Sequence, residues 1–215
     1  MKIGIVACNV IKREIEKLLP DFPEVTQLIY LDGGLHIDSA NLKEAVKSSV
    51  IAMQDSVDVV FLGYGYCQSL KGIEEELDVP VVLPQLDDCI SLLLTPERYA
   101  EEIRKEVGTW FITPGWAAIG AEMIIKGLQL DRVTKYGKDP MDMAKRLFTH
   151  YRRGLLIDTG VEDDLDFTAL SEAFCHDFNL TMDKTTSNLS LLRAWLEKCR
   201  TVDKFTGPAN ADSNR

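Results

Sequence analysis

Short apolar runs alternate along this chain with segments whose hydrophobic residues recur at helical spacing. The runs predict strands at residues 2–6, 26–31, 59–62, 79–83 and 109–113, with a sixth candidate at 155–158. The amphipathic segments predict helices at residues 9–19, 40–53, 89–94, 96–107, 118–130, 140–151, 166–178 and 187–199. Strands separated by helices indicate an α/β fold. We expect an open, mainly parallel sheet of about five to six strands, with helices on both faces and a helical C-terminal portion.

The length of 215 residues is that of one domain, which we place at residues 1–203. The remaining residues, 204–215, are polar and rich in Gly, Pro and Asn, which predicts a disordered tail.

Composition and charge disfavour several classes of partner. The net charge of -10 disfavours nucleic acid and anionic membrane surfaces, because both are bound by basic side chains. No apolar stretch approaches the roughly 20 residues of a membrane span. The chain enters a predicted strand directly after Met1, so we expect no signal peptide. Five cysteines without a C-x-x-C pair do not indicate a secreted disulfide framework, and we expect reduced thiols in the cytoplasm.

Three cysteines and a histidine follow the ends of predicted strands. Cys8 follows the first strand, His36 the second, Cys67 the third and Cys89 the fourth. Ligands of an open parallel sheet bind outside the carboxyl ends of its strands, so neighbouring strands would bring these side chains together. Thiolates and imidazoles are ligands of soft and borderline metals. Ligands spread over four loops would form a site only in the folded protein, which suits a catalytic or cofactor role.

Two alternatives to a metal site stay open. The first is a catalytic thiol or thiol pair without metal. Cys89 lies at the predicted first turn of a helix, where the helix dipole lowers a thiol pKa while the charges of Asp87 and Asp88 oppose this. One of these aspartates is interpreted as the N-cap of that helix. The second alternative is packing in the core, which is our interpretation of Cys175 and Cys199.

Aromatic residues lie near the same strand ends: Trp110, Phe111, Trp116, Tyr64 and Tyr66. They indicate either core and rim packing or an aromatic wall for a planar small-molecule ligand. Nucleotide binding is not indicated. The Gly-x-Gly-x-x-Gln sequence after the third strand lacks the third glycine of a dinucleotide fingerprint, and no phosphate-binding loop sequence occurs.

At these residues the chain resembles a known family, domain of unknown function 1638 (DUF1638), over residues 2–196. The resemblance rests on five motifs: Val6-Ala7-Cys8, Leu31-Asp32-Gly33-Gly34-Leu35-His36, Gly63-Tyr64-Gly65-Tyr66-Cys67, Pro84 with Asp88-Cys89-Ile90, and Thr113-Pro114-Gly115-Trp116. The family has His-Asp-Cys where this chain has Asp87-Asp88-Cys89. An imidazole is therefore missing from this position, and Asp87 offers an oxygen ligand that suits a harder metal.

Members of this family are often encoded beside corrinoid-dependent methyltransferases of anaerobes. The resemblance therefore implies a role near corrinoid or one-carbon metabolism, with a corrinoid protein or a methyltransferase as partner. The usual corrinoid-binding motif, D-x-H-x-x-G, does not occur, so a corrinoid would bind in another way.

We therefore expect a metal- or metallocofactor-binding protein accessory to methyl transfer. The cofactor would be zinc, iron, an iron–sulfur cluster or a corrinoid. The expected metal ligands are Cys8, His36, Cys67 and Cys89, and the expected ligand-binding residues are Tyr64, Tyr66, Asp87, Asp88 and Trp116. The alternatives are a metal-free cysteine enzyme of the two-cysteine racemase kind and a non-catalytic partner-binding module.

Overall fold

The computed structural model describes residues 1–66 and 68–202 as an alternation of strands and helices. Cys67 and the predicted tail lie outside these residues. The strands are β1 (Ile3–Cys8), β2 (Val25–Leu31), β3 (Val59–Gly63), β4 (Val81–Val82), β5 (Thr109–Ile112), β6 (Arg153–Asp158) and β7 (Thr181–Thr186). The α-helices are α1 (Lys12–Leu18), α2 (Ser39–Met53), α3 (Cys89–Leu94), α4 (Pro96–Lys105), α5 (Pro114–Ile119), α6 (Ala121–Gly127), α7 (Pro140–Leu147), α8 (Phe167–Asp177) and α9 (Ser190–Lys198).

The fold is α/β with parallel strands, as expected, but the strands form two sheets and not one. The first sheet has the order β2-β1-β3-β4 and the second has the order β5-β6-β7. All pairings are parallel. The division was not predictable from local patterns, because strands of one sheet and strands of two sheets carry the same hydrophobic periodicity.

Strand β7 and a helix break were missed by the sequence analysis. Thr181–Thr186 is an edge strand whose side chains are largely exposed, so it has no apolar run to reveal it. The single helix predicted at 118–130 is divided into α5 and α6 at Gly120. The backbone of Gly120 has a φ of 64°, a left-handed conformation that ends the helical path and that glycine tolerates.

The order of the first sheet creates a crevice between β1 and β3. The chain runs from β1 to β2 on one side of β1, and it then crosses back over β1 to β3 on the other side. Right-handed crossovers therefore place α1 and α2 on opposite faces of this sheet. The reversal of direction opens a crevice at the carboxyl ends of β1 and β3, where α/β proteins bind ligands.

The two sheets have separate hydrophobic cores, and the C-terminal helix belongs to the first. Leu192, Leu196 and Cys199 are buried in the core of the first sheet, and Cys175 is buried in the core of the second. The interpretation of Cys175 and Cys199 as packing residues agrees with these positions. Among the helices of the described residues, none has the length and apolar character needed to cross a membrane.

Candidate functional site

The loops that follow the strands of the first sheet meet at one edge. The Gly33 amide donates a hydrogen bond to Asn9 Oδ1 at 3.0 Å, which joins the loops after β2 and β1. The Tyr66 amide donates to the Leu86 carbonyl at 2.6 Å, which joins the loops after β3 and β4. Gly65 lies so close to Asp88 that an added Cβ would collide with the Asp88 backbone. This contact requires glycine, because the two loops touch through their main chains.

The second sheet closes over the same edge. The Thr113 hydroxyl donates to the Val10 carbonyl at 3.2 Å, and it also accepts from the Trp116 amide at the start of α5. A side chain at Gly115 would collide with the Val10 carbonyl. The carboxyl ends of the first sheet therefore face the second sheet across a narrow space.

A cavity of about 350 Å³ lies between the two sheets. Its lining residues are His36, Gly65, Asp88, Cys89, Ile90, Tyr99, Thr109, Trp110, Phe111, Trp116 and Tyr151. A second, more apolar cavity of about 380 Å³ adjoins it and shares His36, Trp110, Trp116 and Tyr151. Together they form a cleft that is large enough for a small-molecule ligand.

Cys89 is the first residue of α3 and lines this cavity. Asp88 is the N-cap of the helix, since its carboxylate accepts a hydrogen bond from the Ser91 amide at 2.9 Å. The expected helix start and cap are thus confirmed. The sequence indicated opposing effects of the helix dipole and the neighbouring aspartates on the thiol pKa, and burial was not among them. Burial of the thiol, together with the charges of Cys8 and Asp88, raises the pKa of Cys89.

Cys8 lies at the same edge of the first sheet as Cys89, because β1 pairs with β3 and the loop after β3 contacts Asp88. Cys8 ends β1 and is almost fully buried. Burial raises its pKa to about 11, with a smaller contribution from the charge of Asp32. A charge on Cys8 would in turn raise the pKa of Cys89. Both are therefore neutral at pH 7 in the ligand-free protein.

His36 lies at the rim of the cleft and lines both cavities. It follows β2 in a short 3-10 helix, Gly33–Ile37, and its ring centroid is 5.9 Å from that of Tyr64. The residue is exposed on one side, yet partial burial of the ring lowers its pKa. At neutral pH the imidazole is therefore uncharged, which is the form that binds metals.

A known protein family matches most of the chain, including most of the residues that line the cleft. The family described as protein of unknown function (DUF1638) matches residues 30–196. The chain belongs to this family. No curated protein and no solved structure matches it. The matched region holds His36, Asp88, Cys89 and Trp116 of this DUF1638 protein, whereas Cys8 precedes it.

The expected ligand-binding residues divide into two groups. Asp88 and Trp116 line the cleft of this DUF1638 protein. Tyr64 is buried behind His36, Tyr66 is partly buried, and Asp87 is exposed to solvent. None of these three lines either of the two cavities formed by the described residues.

A preformed metal centre is not visible in residues 1–66 and 68–202. No three His, Cys, Asp or Glu side chains in these segments are arranged to hold a metal ion. The described residues offer the thiols of Cys8 and Cys89 as a pair. The third expected thiol, that of Cys67, lies outside the described residues.

Sequence reasoning missed two aromatic walls of the cleft. Tyr99 comes from α4, and Tyr151 lies two residues before the strand β6. Burial raises the pKa of Tyr99 to about 12, with a contribution from its hydrogen bond to the Asp88 carboxylate. Neither residue follows a strand of the first sheet, so no signal in the sequence connects them to Cys89.

Glu14 was also missed, although the sequence carries a signal for it. It lies between Ile11 and Ile15 on the apolar face of α1, where a carboxyl group becomes fully buried. Its Oε1 accepts a hydrogen bond from the Thr159 hydroxyl at 3.0 Å, and its Oε2 has no hydrogen-bond partner among the described residues. Burial raises its pKa to about 7, and its charge also contributes to the raised pKa of Cys89.

Proposed function

We propose that this protein is a cytosolic metal- or metallocofactor-binding protein, accessory to corrinoid-dependent methyl transfer. The proposed ligands are Cys8, His36, Cys67 and Cys89. One observation carries the proposal: Cys8 at the end of β1 and Cys89 at the start of α3 lie at the same edge of the first sheet, where Cys89 lines an open cleft. The position of this cleft, at the reversal point of the first sheet, supports a ligand-binding role.

The donor set fits a soft or borderline cation. Two neighbouring thiols that burial keeps protonated need a positive charge before they become thiolates. No Lys or Arg side chain among the described residues lines the two cavities and could supply that charge. Zinc or iron would supply it and would release protons on binding. His36, uncharged at neutral pH, adds a nitrogen ligand at the rim.

The proposed partner is a corrinoid protein or a methyltransferase, and this part rests on the family resemblance. When bound, an iron–sulfur cluster would supply electron transfer and a corrinoid would supply methyl-group carriage. The residues of this chain would bind the group, orient it through the Cys8–Cys89 pair and shield it with the aromatic walls of the cleft.

The first test is metal analysis of protein purified without oxygen, combined with the visible spectrum. We expect stoichiometric metal in the wild type, and strong loss of it in Cys8→Ala, Cys67→Ala and Cys89→Ala. Cys199→Ala is the matched control, because that thiol is buried in the core away from the cleft. Its metal content should equal that of the wild type.

The proposal fails if the wild type carries no metal and gains none from Zn²⁺ or Fe²⁺ under anaerobic conditions. It also fails if Cys199→Ala loses as much metal as Cys89→Ala. The visible spectrum separates an iron–sulfur cluster or a corrinoid from colourless zinc.

A metal-free cysteine enzyme is a second candidate, because two thiols at one cleft can act as an acid and a base on a small substrate. It requires one of the two thiols to ionise near neutral pH. The pH dependence of alkylation at Cys89, followed by mass spectrometry, tests this. A midpoint below about pH 8 would favour the enzyme, whereas slow alkylation that rises only at alkaline pH would count against it.

A further inference from the structure

The cleft beside Cys89 has aromatic walls on most sides. The rings of five Phe, Tyr and Trp residues line the first cavity, and they come from α4, β5, α5 and the segment before β6: Tyr99, Trp110, Phe111, Trp116 and Tyr151. Phe148 extends the wall into the adjoining cavity. Rings from four separate segments of chain thus converge on one space.

The rings are held in place by contacts with one another. The Trp110 ring contacts Phe148 at 4.9 Å and Tyr151 at 5.5 Å between centroids, and it stacks on Phe174 at 6.4 Å. Tyr99 contacts Phe111 at 5.0 Å. A wall that is packed in this way changes little when a ligand enters, so little ordering entropy is lost on binding.

Asp88 is the single charged side chain among the described residues that line the two cavities. Its carboxylate accepts a hydrogen bond from the Ser91 amide at 2.9 Å, and Tyr99 lines the same cavity. The negative charge of Asp88 therefore lies beside the aromatic wall. No Lys or Arg among the described lining residues neutralises this charge.

Among the described residues, no Lys or Arg side chain lies over the faces of these rings. In the part of the chain that the structure describes, cations lie over Tyr30, Phe167, Trp195 and Phe22, all of them outside the cleft. A ring face attracts a cation electrostatically, and the attraction is stronger where water is partly excluded.

We propose that the cleft binds a small quaternary ammonium ion, with its methyl groups against the aromatic rings and its charge beside Asp88. The inference deepens the proposed function, and it rests on that function in taking the cleft beside Cys89 as the functional site. Ammonium groups with N–H donors fit less well, because the N–H groups that face the aromatic rings would find no strong acceptor there, and a buried donor without a partner is costly. The negative charge of Asp88 disfavours anions. A neutral planar ligand would form no ion pair with Asp88.

The test uses tetramethylammonium and choline as probes, with 3,3-dimethylbutan-1-ol as the uncharged analogue of choline. Binding is followed by calorimetry and by tryptophan fluorescence, because two of the three tryptophans line the cleft. We expect saturable binding of both cations, and at least about tenfold weaker binding of the neutral analogue, as a lost cation–π and ionic contact implies.

Variants assign the contacts. Asp88→Asn removes the charge and keeps an N-cap that α3 accepts, and we expect it to weaken choline binding about tenfold, a loss of about 1.4 kcal/mol. Trp116→Leu should abolish measurable binding. Trp195→Leu is the control, since Trp195 lies on α9 away from the cleft, and it should bind choline as the wild type does. Circular dichroism verifies that each variant is folded.

Three outcomes would overturn the inference: no saturable binding of either cation, equal affinity for the neutral analogue, or an unchanged affinity in Asp88→Asn. The titrations are made with metal-free protein and repeated with Cys8→Ala. Choline binding in protein that never takes up metal would overturn the metal site alone. Metal uptake without choline binding would overturn the ammonium site alone.

Discussion

At the scale of single residues, the carboxyl group of Glu14 is the least expected feature of the core. It is fully buried, and burial raises its pKa to about 7. The positive charges of Arg13 and Lys17 lower this pKa, but their effect is smaller than that of burial. A raised carboxyl pKa means that the folded protein holds a proton that the unfolded chain releases. The stability that depends on this proton is present in full below the unfolded pKa of 4.5 and is lost as the pH rises through about 7.

We predict that Glu14→Gln removes this pH dependence. The amide retains an oxygen that accepts from Thr159 and does not ionise. Between pH 5 and pH 8, the free energy of unfolding of the wild type should fall relative to the variant by about 3 kcal/mol, the equivalent of the pKa shift. Urea unfolding at the two pH values measures the difference. Parallel behaviour of the two proteins would show that Glu14 does not titrate in this range.

At the scale of elements, a buried ion pair joins α4 to the start of β6. Arg153 donates to Glu102 Oε2 at 2.9 Å, to the Glu102 carbonyl at 2.8 Å and to the Thr109 hydroxyl at 3.0 Å. Arg153 also lies 3.5 Å from the carboxylate of Asp183 on β7. The second sheet is thereby tied to α4, the helix that carries Tyr99 of the cleft wall.

We predict that Glu102→Ala destabilises the protein by about 3 kcal/mol, because it removes the nearest carboxylate from a buried guanidinium and leaves Asp183, at 3.5 Å, as the ion-pair partner among the described residues. Glu101→Ala is the matched control. Its side chain is exposed on the same helix, and its loss should change the unfolding free energy by less than about 0.5 kcal/mol. Similar losses in the two variants, measured by urea unfolding, would contradict the role given to the ion pair.

At the scale of the whole molecule, the chain crosses between the two sheets more than once. The helix α9 follows the last strand of the second sheet, yet Leu192 and Leu196 are buried in the core of the first. In the other direction, the loop after β1 contacts the start of α5 through Val10. These contacts join the two cores, so we expect them to unfold together.

We predict one cooperative unfolding transition. Tryptophan fluorescence and far-ultraviolet circular dichroism should give the same midpoint for it. Two tryptophans, Trp110 and Trp116, belong to the second sheet and its first helix, whereas Trp195 lies on α9. Leu192→Ala should lower the unfolding free energy by roughly 2–5 kcal/mol, the usual cost of a cavity in a core, and should shift both probes equally.

Glu197→Ala is the control on the same helix, because its side chain is exposed, and its transition should match that of the wild type. Two separate transitions in the wild type, or a shift of only one probe in Leu192→Ala, would show that the sheets unfold independently.

Local sequence patterns predicted the elements whose buried residues form a continuous apolar run or recur at a regular spacing. The apolar runs of β1, β3 and β6 predicted these strands, and Asp88 before Cys89 predicted the N-cap and the first turn of α3. The edge strand β7 was missed because an exposed strand carries no such run. The raised pKa of Cys89 was not predicted, because desolvation depends on distant parts of the chain, whereas the sequence indicated only the opposing local effects of the helix dipole and the aspartates.

By itself, the sequence determined the α/β class, most of its strands and helices, and the placement of Cys8, His36 and Cys89 at or after the ends of strands. These follow from interactions between residues that are near in sequence. Only the tertiary structure decided the division into two sheets, the meeting of the loops that follow β1, β2, β3 and β4 at one edge, the burial of Glu14 against Thr159, and the cleft that Tyr99, Trp110 and Tyr151 enclose. The physical reason is that strand pairing and cavity closure join segments far apart in the chain. Their stability therefore depends on three-dimensional packing, which no local pattern records.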